Sequence, residues 1–337
     1  MSRWVNRPEG SNWGDFGEDD QIGRLNLLTP DKIRAAAAEV QTGERFCLSL
    51  PLDLPGGNAL NSRRFPPKLS PTYRPGDKPN INYNLSQDSP DFVDVISDDV
   101  VLLHTQYSSQ WDSLAHVGQE FDADGDGVKE IVYYNGYRGG EHVKGPDDPG
   151  GIGARALGIE NMAAAGVQGR GVMIDLEGEF GRAETIVGYD DLMRVMEKDK
   201  VVVEEGDMVC LHTGFAQMIV EMGGNPDKDK LHHSCAALDG RDKRLLNWIT
   251  DTGLSLLIAD NYAVEAYPSR PGEGCCAFLP IHEHCLFKLG IHLGELWHLT
   301  PLNSWLKAHG RSRFLLTAPP IRLPGSVGSP ANPVATV

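Results

Sequence analysis

The chain has 337 residues, 40% of them hydrophobic, with no apolar run near the roughly 18 to 20 residues of a membrane-spanning helix, so a soluble globular protein is expected. With 31 Lys and Arg against 47 Asp and Glu the formal net charge is -16, which argues against nucleic acid or an anionic membrane as a partner. The six cysteines show neither CxxC spacing nor the density of a stapled secreted fold, and the first ten residues carry no apolar signal region. Reduced thiols and a cytoplasmic protein are therefore expected.

Residues 1–28 read as a polar N-terminal extension. Thr29, Pro30 and Asp31 then form a helix start, with Thr29 as N-cap, Pro30 at the first helical position and Asp31 at the positive dipole end. This helix is expected to run through Val40 and stop at Gly43. Residues 46–52 read as a strand entering a Pro-rich excursion over residues 51–89, placed over the surface or the mouth of a site. The β-branched runs at 94–97 and 99–104 read as strands leading into the segment 104–116.

After a Gly- and Asp-rich stretch over 117–154, the pattern predicts a helix at 159–165, a strand at 171–175, a helix at 190–198 and a buried strand at 207–212. A helix at 241–250 and a strand at 254–259 follow. Such alternation indicates an α/β layered fold, read as one domain over residues 1–337.

Several motifs fail on their own terms. Asp122 to Gly127 (DADGDG) matches half an EF-hand loop, but its twelfth position is Tyr133, where a bidentate Glu is required, so it reads as a solvated acidic turn. The glycines at 166, 169 and 171 follow a helix and precede a strand, the reverse of a phosphate-binding loop. His232, His233 and His309 read as surface or capping residues, and Cys275 and Cys276 as packing.

The segment His104 to His116 (HTQYSSQWDSLAH) places Asp112 and His116 four residues apart. An imidazole suits general-base activation of water, and a nearby carboxylate can orient it, stabilise its protonated form or bind a metal. The segment resembles the signature H-x-G-T-H-x-D-x-P-x-H of the cyclase family, which includes bacterial kynurenine formamidase and isatin hydrolase. Gln106, Ser108, Ser109, Gln110 and Leu114 stand at the other named positions, so only Asp112 and His116 match. Residues 23–30, 169–175, 206–214 and 259–265 look like further segments of the family, and His282 to Glu295 resembles its second metal-contributing block.

The resemblance implies the swivelling β/β/α architecture, a hydrolytic amidohydrolase or lactonase activity, and a homodimer or homotetramer. It assigns His116 and Asp112 to catalysis and Asp112, His282 and Glu295 to a divalent cation, zinc or manganese. Gln106 and Gln110 replace two metal-binding imidazoles. Because an amide oxygen is a poorer zinc ligand, a single cation and a metal-free cluster both stay open. Gln106, Tyr107, Gln110, Trp111 and His212 are candidate substrate contacts, with His284 a lesser one. The expected reaction is hydrolysis of a cyclic amide, lactone, formamide or carbamate. A metal-independent cyclase, dehydratase or isomerase and a non-catalytic binding protein are the alternatives.

Overall fold

The computed structural model describes residues 3–272, 274 and 276–337. Short apolar runs such as 172–174, 209–211 and 256–258 are buried throughout, the mark of strands in a sheet covered on both faces. They lie in strands Gln168–Asp175, Met208–His212 and Leu256–Ala259, which run parallel, with Leu293–Glu295 parallel on the far side of Leu256–Ala259.

Among the described residues nine strands form this sheet. Their order is Arg45–Cys47, Val334–Thr336, Arg313–Thr317, Gln168–Asp175, Met208–His212, Leu256–Ala259, Leu293–Glu295, Gln110–Asp112, Gly328–Pro330. Outside the four parallel strands every pairing is antiparallel.

Successive strand residues point to opposite faces, and the two cores follow that alternation. Val172, Ile174, Val209, Leu211, Leu257 and Leu293 pack in one core with residues of helices Tyr189–Asp199 and Lys243–Asp251 and of the π-helix Glu283–Leu289. Met173, Met208, Cys210, Leu256, Ile258 and Trp111 pack in the other, against helices Ile159–Ala165 and Thr300–Ala308. The parallel strands end on Asp175, His212, Ala259 (followed by Asp260) and Glu295, a buried polar row at their carboxyl ends. Open α/β sheets bind ligands at such ends.

The helix at Thr29 forms as Pro30–Ala37, with the Thr29 hydroxyl accepting from the Lys32 N–H, and ends before the expected Val40. The strand expected at 46–52 is only Arg45–Cys47. Val95–Ile96 and Asp99–Leu102 are strands, yet they lie in an arm outside the main sheet, where Lys68–Pro71 pairs antiparallel with Asp99–Leu102. Leu69 and Leu102 are each 71% exposed there.

The acidic turn closes on itself, the Asp122 carboxylate accepting from the N–H groups of Gly125 and Gly127. Of the cysteine pair expected to pack, Cys276 is exposed because its loop lies at the surface, and Cys275 lies outside the described residues. No helix among the described residues is long and apolar enough to cross a membrane.

Candidate active site

Strand Gln110–Asp112 is antiparallel to Leu293–Glu295, with Gln110 opposite Glu295 and Asp112 opposite Leu293. Alternation therefore turns Gln110, Asp112 and Glu295 to one face. The Gln110 amide N–H donates across the strands to Glu295 Oε2 at 2.9 Å. Asp112 pairs on its other side with Gly328, where an added Cβ would lie 2.6 Å from Gln106 Cγ. The missing side chain lets the Gln106 amide reach the carboxylate of Asp112, to which it donates.

His282 enters from the short helix Pro280–His282. Its Nε2 lies 3.3 Å from Glu295 Oε1 and 3.9 Å from Asp112 Oδ2. Its Nδ1 lies 2.8 Å from Glu265 Oε1, and the Glu265 carboxylate also accepts from the backbone N–H groups of Ile281 and His282. Glu265 thus holds the helix start and the imidazole together, and leaves Nε2 facing the two carboxylates.

His116 lies at the turn after Asp112, its N–H donating to the Ser113 carbonyl. Its Nε2 is 4.0 Å from Asp112 Oδ1, and 23% of its side chain is exposed against 1% for Asp112. The Gln106 amide nitrogen lies 3.1 Å from Nδ1 and 3.4 Å from Nε2. Near-equal distances to the two ring nitrogens put it over the imidazole face, away from the in-plane lone pair of a neutral ring.

Burial sets most of the electrostatics. It raises Asp112 above the usual carboxylate range, with the Glu295 charge adding and His116 and His282 opposing. Glu295 feels the same burial, but the hydrogen bond and charge of His282 outweigh it and hold Glu295 low. Burial also disfavours charge on His282, yet its bonds to Glu265 and Glu295 push it up to about 10. His116 is lowered, by burial first and then by His282 against the pull of Asp112. Carboxylates and imidazoles pushed apart in this way are suited to separate acid and base roles.

Comparison with known proteins places this geometry. Residues 48–266 match the Cyclase family model. A crystal structure described as a novel cyclase is 30% identical, with a TM-score of 0.75 over 97% of this chain and 99% of that one. The chain belongs to the cyclase family. The fold is also shared with isatin hydrolase A from Ralstonia solanacearum (13% identity, TM-score 0.54, 91% of this chain and 97% of that one). The same holds for isatin hydrolase A from Labrenzia aggregata (12%, 0.53, 89% and 94%). No curated protein sequence matches significantly.

In this cyclase-family protein the donor atoms of Asp112, His282 and Glu295 lie within 4.8 Å of one another. Asp112 Oδ2 and Gln110 Oε1 are buried without a hydrogen-bond donor. A set of two carboxylates and one imidazole, with orphaned acceptors beside it and a carboxylate on the far imidazole nitrogen, fits one divalent cation.

The other expected contacts divide. Tyr107 lines a cavity with Gln106, its hydroxyl donating to the Gly57 carbonyl. Trp111 falls on the opposite face of its strand, fully buried, with its ring edge-on to Trp297 and its N–H donating to the Ala318 carbonyl. It is core because it sits between Gln110 and Asp112 in a period of two.

His212 bonds in a separate cluster, Nδ1 at 2.8 Å from Asp175 Oδ1 and Nε2 at 2.9 Å from Thr300 Oγ1, so it braces the sheet end there. His284 bonds Thr250 on the other side of the π-helix. Sequence reasoning assigned no role to Glu265 or Arg64. Arg64 donates to the Gln106 carbonyl at 2.6 Å from within the Pro-rich excursion.

Proposed function

We propose that the protein hydrolyses a small carbonyl compound, a cyclic amide, lactone, formamide or carbamate. The observation that carries this reading is His116, a partly exposed imidazole kept below its ordinary pKa beside the buried Asp112. It is a free base at neutral pH at the one open edge of an otherwise closed polar cluster. The isatin hydrolases, which share the fold, are named for a hydrolysis.

His116 takes a proton from water as the water oxygen bonds to the carbonyl carbon and the carbonyl π electrons move to oxygen. Asp112 stabilises the imidazolium. Collapse of the tetrahedral centre breaks the C–N or C–O bond, and His116 returns the proton to the departing amine or alcohol. The Gln106 N–H that is not given to Asp112 would donate to the developing oxyanion, a type of preorganised donor whose removal costs about 3 to 4 kcal/mol. A cation held by Asp112, His282 and Glu295 would supply polarisation of the carbonyl.

The test is turnover of a panel of lactones, lactams, cyclic imides and formamides in ¹⁸O-labelled water. Hydrolysis puts one labelled oxygen into each product carboxylate. Products without label, or binding of panel members without turnover, overturn the reading.

A further inference from the structure

Arg64 is placed where a charge needs a reason. Its guanidinium spends one donor on the Gln106 carbonyl, and among the described residues no carboxylate stands within 4.0 Å of it. Arg170 is paired with Asp207 and Glu204 and Arg182 with Glu177 and Glu221, while the buried Arg24 spends its donors on the carbonyls of Ile249, Thr250 and Leu254. Guanidinium groups are strong bidentate donors to carboxylates, so an unpaired one aimed at a cavity is a recognition element.

That cavity is lined by Arg64, Asn61, Gln106, Tyr107 and Tyr262, and has room for the centre of roughly one water, about 10 Å³. It adjoins a groove of about 1070 Å³ through shared walls at Asn58, Leu60, Asn61 and Tyr262, and the Asn61 amide donates to the Tyr262 hydroxyl at 3.1 Å at this junction. Arg63 and Lys228 line the outer groove, with Asp229 the one carboxylate among its lining residues. In a chain of net charge -16, cations therefore mark the way in and end at Arg64. Gln106 also lines the cavity, and its side chain touches both Asp112 and His116.

We infer that the substrate is anionic, a small carbonyl compound carrying a carboxylate that Arg64 grips while the scissile carbonyl reaches His116. This rests on the hydrolytic reading above and adds the substrate class to it. Two buried carboxylates, Asp112 and Glu295, would otherwise repel such a molecule, and Arg64 supplies a compensating positive charge whose field reaches Glu295. Cationic residues along the groove raise the local concentration of an anion, as charged clefts do.

The experiment uses matched pairs on the full chain: pyroglutamate and pyroglutamamide, N-formylglycine and N-formylglycinamide, 5-oxotetrahydrofuran-2-carboxylate and its amide. Turnover and calorimetric binding are both measured, for the wild type, Arg64→Gln and Arg64→Lys. A preference for the charged member of at least one pair is expected in the wild type. In Arg64→Gln the KM or Kd of that member should rise about tenfold to a hundredfold, while the neutral member changes little. Arg64→Lys restores part of the preference.

If Arg64 only screened Glu295 and Asp112, its loss would shift kcat for charged and neutral members alike, and that result overturns the inference. No preference for charge in any wild-type pair, or no binding at all, overturns it too. Charge-selective binding lost in Arg64→Gln without any turnover sinks the hydrolytic reading and leaves the anion site standing.

Discussion

Glu265 Oε1 lies 2.8 Å from His282 Nδ1, and the same carboxylate accepts the N–H groups of Ile281 and His282. One side chain therefore fixes both the orientation of the imidazole and the start of the helix that carries it. Glu265→Gln keeps an acceptor for the backbone but removes the negative charge. We expect a folded protein by circular dichroism whose His282 titrates well below its wild-type value in NMR, and whose cation affinity falls about 10- to 100-fold. Glu265→Ala orphans buried donors as well, and should cost about 2 to 4 kcal/mol in urea unfolding.

His116 is the most exposed member of the cluster, so its removal should separate chemistry from stability. His116→Ala is expected to lower kcat by about 10²- to 10⁴-fold with the unfolding midpoint nearly unchanged. Undiminished turnover on the substrate of the ¹⁸O test would take His116 out of the mechanism.

The cluster of Asp112, His282 and Glu295 predicts cation-linked stability. Zinc or manganese at about 100 times its Kd should stabilise the native state by about 2.7 kcal/mol, read as a rise in Tm. Asp112→Asn should abolish that rise. A Tm indifferent to both ions in the wild type would mean that Gln106 and Gln110 have converted the site to a metal-free cluster.

What the chain disclosed by itself follows from the range of the interactions involved. The helix at Pro30 and the strands ending at Asp175 and His212 were legible because caps and buried apolar runs are local signals. Asp112, His282 and Glu295 are up to 183 residues apart in sequence, so only the family resemblance could join them; the register of Gln110 with Glu295 then explains the contact.

Trp111 was separable in principle, since strand parity puts it opposite Asp112. Glu265 and Arg64 carried no local signal. Each acquires its role from a residue at least 17 positions away, His282 in one case and Gln106 in the other. The β-branched runs before His104 form strands as read, but their place in an arm outside the main sheet was not legible, because a short strand reads the same whether a core or solvent covers it.

Stability should also fall on the acid side through two buried, neutral imidazoles. Burial lowers His292 to about 3 and His284 to about 4. Unfolded, both return to about 6.5, so below that pH the unfolded chain binds protons the native state refuses. Protons bound in the unfolded state exceed those in the native state, and stability therefore rises with pH from about 4 to 6.5 and is lost as pH drops through that window. His212 and His282, raised by their carboxylate partners, act with the opposite sign. Because His292 Nδ1 has no hydrogen-bond partner among the described residues, His292→Leu should reduce the pH slope of unfolding free energy over this window by about one proton. An unchanged slope would assign the acid sensitivity elsewhere.

The arm over residues 66–102 gives the expected homo-oligomer a physical test. The accessible surface is 15,624 Å², against roughly 13,600 Å² for a monomer of this mass. The excess, about 2,000 Å² on one chain, exceeds the roughly 800 Å² that each partner gives to a standard interface. In the ladder of Lys68–Pro71 with Asp99–Leu102, Leu69 pairs with Val101 and Ser70 with Val100, so consecutive pairs put apolar side chains on both faces. Val100, Val101 and Leu102 all remain exposed. A two-stranded ladder so uncovered is marginal alone, and its open edges suit an isologous contact with the same ladder of a second copy. Sedimentation equilibrium should show a dimer or tetramer for the wild type, and the double variant Leu69→Asp, Leu102→Asp should sediment as a smaller species with unchanged far-UV dichroism. A wild-type monomer at micromolar concentration would leave the arm to some other partner.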